Sequence, residues 1–194
     1  QESLQPWPSY NPEMTRILLE EEGFCKTNIL TIPLTFRSNV PADKLLALTW
    51  KDQIKRDLSD CMKITLNGLE STTVYKQLAE GSFEAVILDW TGAYPDPEAY
   101  LTPLLSCNLI KEDICIEGEA VFSGSFWANE KVQALLTKSE GIDGEKRLNN
   151  LIQVQELAAD GAAYIPIWIV KPKAWSLHKI SKPEFSRDGM IILK

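Results

Sequence analysis

The sequence predicts an α/β fold with a mainly parallel sheet flanked by helices. Apolar stretches of period two alternate with stretches of period 3.6 through the first half, the connections are short, and one continuous apolar run reads as a strand buried on both faces. The order strand, helix, strand, helix, strand is the signature of crossover connections between parallel strands.

The elements follow in order. Asn11, Pro12 and Glu13 open a helix with a capping amide, a proline at the first helical position and an acid in the first turn; Gly23 closes it. Leu30, Ile32, Leu34 and Phe36 alternate with Thr31 and Thr35 as a strand, in which Pro33 predicts an edge position or a local irregularity. From Pro41 to Leu58 a helix places Ala47, Trp50, Ile54 and Leu58 on one face. Met62, Ile64 and Leu66 form a second strand. Ser71 is expected to cap a short helix carrying Val74, Tyr75 and Leu78, which Gly81 ends, and Ala85 to Leu88 is the buried strand. Asp96-Pro97 starts a helix, followed by a loop-rich stretch with Cys107 and Cys115. Two helices come next, about 129–138 and 144–160; the second places Leu148, Leu151, Ile152, Gln155 and Ala159 on one face. Tyr164 to Val170 returns to strand character, and the tail from Lys171 to Lys194 holds three short apolar islands with no evident partner.

With 194 residues, 44% apolar and 24% charged, the chain can bury one sizeable core or two small ones. Twenty basic against 27 acidic residues give a net charge of −7 and no basic stripe, which argues against a nucleic-acid binder. The longest apolar run, Ala162 to Val170, is interrupted by Pro166 and falls short of the roughly 20 residues a membrane span needs. The chain opens at Gln1 with neither Met nor a hydrophobic leader, the expectation for a processed N-terminus or a piece of something longer. Cys25, Cys61, Cys107 and Cys115 lack the CxxC pairs and neighbouring His of a zinc site, so no metal and no cofactor is read. On composition they read equally as buried thiols or as bridges of an oxidising compartment.

Enzyme signatures are poor. The single histidine, His178, lies in a Lys-rich segment without an acid and Ser to complete a triad, and reads as a solvated side chain. Gly141 to Gly144 lacks the flanking strand and Lys of a phosphate loop. Asp89 and Asp96 could pair as hydrolase carboxylates, but Asp96 before Pro97 reads better as a helix cap and Asp89 as a strand end. No catalytic residue is assigned. The informative stretch is Asp89 to Pro97, at the carboxyl end of the third strand, where open α/β sheets bind ligands. Trp90 and Tyr94 offer flat apolar area, Thr91 to Tyr94 offer backbone groups, and Gly92 is expected to let a ligand main chain approach.

WTGAYPDP with the helix Glu98 to Leu105 resembles the W-x-x-D-Y-x-D-P segment of the solute-binding proteins of oligopeptide, dipeptide and nickel ABC importers, bacterial solute-binding protein family 5. Tyr10 to Phe24, YNPEMTRILLEEEGF, resembles the family's Y-D-P-x-x-A-x-x-L-L-x-x-A-G-Y helix, and Ser125 through Leu136, the Arg147 helix and Tyr164 to Trp168 follow in the family's order. The resemblance implies a periplasmic-binding-protein-like lobe: residues 1–164 as the C-terminal ligand-binding lobe and 165–194 as a return segment toward a first lobe not contained in this chain.

The implied function is capture of peptides or a related small solute between two closing lobes, delivery to a membrane permease of an ABC importer, and no covalent chemistry. Implied with it are a monomer, a periplasmic or extracytoplasmic location, a signal peptide in the precursor and a lipid anchor in some forms. The resemblance places ligand contacts at Trp90, Thr91, Gly92, Ala93 and Tyr94. Where peptide receptors carry the Asp that pairs with the peptide ammonium, this chain has Ala93, so N-acetylation of a peptide is expected to cost little affinity. Arg37, in Arg37-Ser-Asn-Val-Pro41, resembles the Arg-x-x-x-Pro whose guanidinium meets a peptide carboxylate; read without the resemblance it is an exposed surface residue. A local Cys107–Cys115 disulfide is implied as well, and pairing of Cys25 with Cys61 is left open.

Two other readings compete. One keeps the fold and changes the ligand to an oligosaccharide, an opine-like compound or a metal chelate. The other is an effector-sensing domain of a regulator, which a helix-turn-helix upstream in the gene would support and a leader peptide would exclude.

Overall fold

The computed structural model describes residues 7–170, 173–177, 184–186 and 190–192. Helix α1 spans Pro12–Glu21, with the Asn11 side chain accepting the Met14 N–H at its N-terminus, and Gly23 beyond its end has a φ of +80°. Strand β1 (Leu30–Arg37), helix α2 (Pro41–Asp57), strand β2 (Met62–Leu69), helix α3 (Ser71–Gln77) and strand β3 (Ala85–Val86) build a parallel sheet in the order β2-β1-β3. The β1/β2 register runs unbroken from Leu30 opposite Met62 to Arg37 opposite Leu69. Leu34, Phe36, Ile64 and Ile87 from the sheet meet Leu46 and Ala47 of α2, with Trp50 and Ile54 packed against them.

Pro33 sits in the central strand and not at an edge. The reason it is tolerated is directional. Along a parallel strand, successive residues turn their N–H and C=O groups to opposite sides. Leu30 donates to Cys61 on the β2 side, and the Thr35 carbonyl accepts from Ile87 on the β3 side. Pro33 therefore faces the β3 side, where the ladder pairs only Leu34 with Ala85 and Thr35 with Val86. Its missing donor falls just before that ladder begins.

Ala85 to Leu88 forms only a two-residue strand, and of the run Ile87 alone is buried. Among the described residues β3 has no neighbour on its far side, so little remains to extend the ladder. Ser71 is the first residue of α3, not its cap: the Ser71 N–H and hydroxyl both donate to the Asn39 side chain, at 3.1 and 2.7 Å. Gly81, at φ +66°, ends the short 3-10 turn that extends α3.

Helices α4 (Glu98–Leu105), α6 (Glu130–Ser139) and α7 (Glu145–Asp160) enclose a second core of Leu105, Val132, Leu135, Leu136, Leu151, Val154 and Ala158. In α7 the buried face is 151, 154, 158 and 159, while Leu148 is exposed; both faces have helical spacing, and contact with α6 and α4 selects between them. Between α4 and α6 lie a hairpin, strands β4 (Leu109–Lys111) and β5 (Ile114–Glu117), and a short helix α5 (Glu119–Phe122). The hairpin turns through Glu112 and Asp113, both at positive φ.

Cys107 is joined to Cys115 across that hairpin, and Cys25 to Cys61 ahead of the two long strands. Tyr164 is held by its main-chain carbonyl, which accepts from Trp7 Nε1 at 2.9 Å, and by its hydroxyl, which donates to Ser123 Oγ at 2.8 Å. From Ile165 to Val170 the chain joins no sheet among the described residues, and Ile165, Ile167, Trp168, Ile169 and Val170 are exposed. In the tail, strand β6 (Glu184–Phe185) pairs antiparallel with β7 (Ile191–Ile192). His178 lies outside the described residues.

Candidate functional site

The Ile87 N–H, bound to the Thr35 carbonyl at 2.9 Å, is the last sheet bond of the third strand. From Asp89 to Pro97 the chain crosses the carboxyl edge of the sheet and enters α4. Trp90 and Tyr94 are half exposed, and Trp90 Nε1 donates to the Ala99 carbonyl at 3.2 Å, fixing the polar edge of the indole on α4 while the ring remains in contact with solvent. Thr91 and Ala93 are exposed. Gly92 packs against the start of α4. A Cβ there would lie 2.7 Å from Cε2 of Tyr100 and 3.2 Å from Cβ of Ala99, so the close approach it permits is to α4.

The far end of the loop is fixed by an ion network. Asp96 Oδ1 accepts the Glu98 N–H at 2.8 Å, which is the capping role expected of it, from two residues ahead of α4. Arg147 of α7 grips both oxygens of Asp96, at 2.7 and 3.0 Å, and Glu98 at 2.6 Å. The Arg147 hydrogen bonds, aided by the Glu98 N–H, hold the Asp96 carboxyl below its usual range.

The near end is fixed by a second network, again an arginine between two carboxylates but with a tyrosine hydroxyl added. Arg37, at the end of β1, is buried and not a surface residue. Its Nε and Nη2 donate to the two oxygens of Asp43 at 2.7 and 3.1 Å, a pair with both side chains about 6% exposed. Nη1 donates to the Tyr75 hydroxyl at 2.9 Å and to Asp89 Oδ1. Tyr75 in turn donates to the same oxygen at 2.5 Å. Burial raises the Tyr75 phenol, and the Asp89 bond raises it further. At Asp89 burial acts upward but is outweighed by the Tyr75 hydrogen bond and the Arg37 charge, so the carboxyl titrates below its usual value and stays ionised near neutrality.

Trp90 to Tyr94 thus lie on one loop beyond β3, and Arg37 on the neighbouring strand reaches that loop through Asp89. Sequence reasoning assigned no site role to Asp43, Tyr75, Asp89 or Arg147. An acid in the first turn of the helix after Arg37 was the available signal for Asp43; nothing local marks Arg147. A groove of about 540 Å³ between the disulfide hairpin and α6 and one of about 330 Å³ along β2 and α2 both lie away from residues 89–97. The loop is an open surface. Among the described residues no three His, Cys, Asp or Glu are grouped to hold a metal ion.

Comparison with known proteins agrees with this architecture. Residues 1–111 match the profile of the middle region of the bacterial extracellular solute-binding proteins, family 5. The chain is 27% identical over 183 residues to di/tripeptide-binding protein 4 of Pseudomonas aeruginosa, covering 91% of this chain and 31% of that protein. It is also 27% identical to heme-binding protein A of Haemophilus influenzae over 86% of this chain and 28% of that protein. A dipeptide-binding protein from Pseudoalteromonas sp. SM9913, solved with Met-Leu, superposes with a TM-score of 0.66 at 23% identity, over 84% of this chain and 31% of the other. The chain therefore spans about a third of the length of these relatives.

Proposed function

The chain belongs to the bacterial extracellular solute-binding proteins of family 5, and from that premise we propose that it is the ligand-gripping part of a two-lobed receptor serving an ABC importer. The receptor captures a peptide or related small solute outside the cytoplasm, closes on it, and presents it to a membrane permease without covalent chemistry. The observation that carries this reading is the loop from Asp89 to Pro97: it lies at the carboxyl edge of a parallel sheet, is clamped at both ends, and leaves Trp90 and Tyr94 half exposed. Trp90 and Tyr94 supply contact area, and Thr91 to Tyr94 supply backbone hydrogen bonds.

Residues 1–164 form the lobe, and 165–194 return toward the opposing one. Support for that division comes from Tyr164, the last residue anchored on the helical core before the exposed stretch Ile165 to Val170, and from the exposed Met14, Ile17 and Leu18 on α1. These apolar surfaces suit burial against the remaining two thirds of a receptor of the relatives' length. The receptor works as a monomer, exported by a signal peptide and held at the membrane where its precursor carries a lipid anchor.

The test is a thermal-shift panel on the complete protein with di- and tripeptides and haem, since a ligand that binds only the folded state raises its melting temperature. Peptides are expected to shift it. The 27% identity to a heme-binding protein favours a second reading, in which the solute is a metal chelate. A shift with haem and none with peptides would decide for it, and no shift with any member would count against the receptor reading.

A further inference from the structure

We propose that this ligand edge selects a positively charged group, an ammonium, and that Asp89 is the side chain it meets, with Arg37 as a positioning residue. The inference rests on the solute-binding reading above and names the chemistry of its ligand.

Arg37 is badly placed to receive an anion. Four of its five N–H groups are already taken, two by Asp43 and two by Asp89 and Tyr75, and its side chain is about 6% exposed. An incoming carboxylate would have to displace Asp89 from it. Asp89 is the opposite case. Its side chain is 67% exposed, and both of the hydrogen bonds it receives from other residues fall on Oδ1. Oδ2 receives none from another described residue and stands at the carboxyl end of the third strand, one residue before Trp90.

The charge count points the same way. Arg37 faces two carboxylates, Asp43 and Asp89, and Arg147 faces two, Asp96 and Glu98. Each network keeps one negative charge in excess. The loop between them is thus bracketed by uncompensated negative charge, and across an edge that closes against a second lobe such a field attracts a cation. Tyr75 and Arg37 fix the carboxylate in place, so an ammonium that binds it finds an acceptor already ordered. Ala93 leaves the middle of the loop without a carboxylate, and Asp96 is held on both oxygens by Arg147, which makes Asp89 the acceptor available at this end.

An ammonium could be the α-amine of a peptide or a lysine side chain, and four probes separate the sources: Ala-Ala-Ala against N-acetyl-Ala-Ala-Ala, and Ala-Lys-Ala against Ala-Met-Ala. They are titrated calorimetrically into the complete protein and into its Asp89→Asn, Asp89→Ser and Asp89→Glu variants. A charge-assisted bond predicts a preference of about 10- to 100-fold for the charged member of at least one pair. That preference should fall to about threefold or less in Asp89→Asn and Asp89→Ser and survive in Asp89→Glu. It is a ratio within each variant, so a uniform loss of affinity cancels. Equal binding of both members of each pair by the wild type, or a preference that persists in Asp89→Asn and Asp89→Ser, overturns the inference and leaves the receptor reading standing. Failure of every probe to bind while haem binds overturns the peptide reading, and this inference with it.

Discussion

Replacing Arg37 by Met separates its two conceivable jobs. The side chain keeps an unbranched apolar stem and loses its guanidinium, so the cost depends on which partner is left behind. Asp43 is buried, and its carboxylate is matched by the guanidinium on both oxygens. Stranding one member of a buried ion pair costs about 3–5 kcal/mol, because the remaining charge has lost both its partner and its water. Asp89 is a different matter. At 67% exposure it can rehydrate, and an exposed pair is worth only about 0–1 kcal/mol. The Asp43 leg therefore dominates.

Urea denaturation of Arg37→Met should accordingly show a loss of about 3–5 kcal/mol. The double variant Arg37→Met with Asp43→Leu should recover most of it, since removing both charges leaves nothing stranded. The cycle also isolates the pair from the rest of the network. If Arg37→Met unfolds at the wild-type urea concentration and loses only ligand affinity, the reasoning fails and the guanidinium belongs to the ligand.

Arg147→Met should weaken ligand binding in calorimetry and speed amide exchange across residues 92–97, because Asp96 then loses its tie to α7. The same tie should depend on pH: with the Asp96 carboxyl depressed by Arg147, its contribution is complete above the ordinary carboxylate range and is lost as pH falls through the lowered value, so the protection of these amides relative to an unstructured chain at the same pH should fall on acidification. Replacing Cys107 and Cys115 by Ser opens a loop of sequence separation 8, and replacing Cys25 and Cys61 opens one of 36. The chain-entropy relation makes the losses about 2.5 and about 3.8 kcal/mol. Denaturant melts should rank them in that order, and thiol titration of the oxidised, unfolded chain should find no free sulfhydryl.

The elements legible in the sequence are those whose pattern is tied to one face. Leu34, Phe36 and Ile64 alternate because α2 covers one side of the sheet, and Asn11-Pro12-Glu13 marks the start of α1 through local chemistry alone. What stayed hidden depends on partners. The β4/β5 hairpin turns through Glu112 and Asp113 at positive φ, without the Asn-Gly or Asp-Gly that usually announces such a turn. The buried face of α7 includes Val154 and Ala158 and excludes Leu148, a choice made by the helices it packs on and invisible in its own periodicity.

At the site the same distinction decides what could be read. The position of Trp90 to Pro97 follows from the order of strands and helices, since the carboxyl edge of a parallel sheet is fixed once the strands are. The role of Arg37 does not follow, because it depends on whether a carboxylate is folded onto it. Asp43 comes six residues later, across the turn into α2, and Asp89 comes 52 residues later, on the loop beyond β3. Only the fold brings both to one guanidinium, and together they turn the charge of the edge from positive to negative. A motif can thus carry an arginine to the ligand edge without offering it to the ligand, and the exposed carboxylate that the arginine holds becomes the better candidate for recognition.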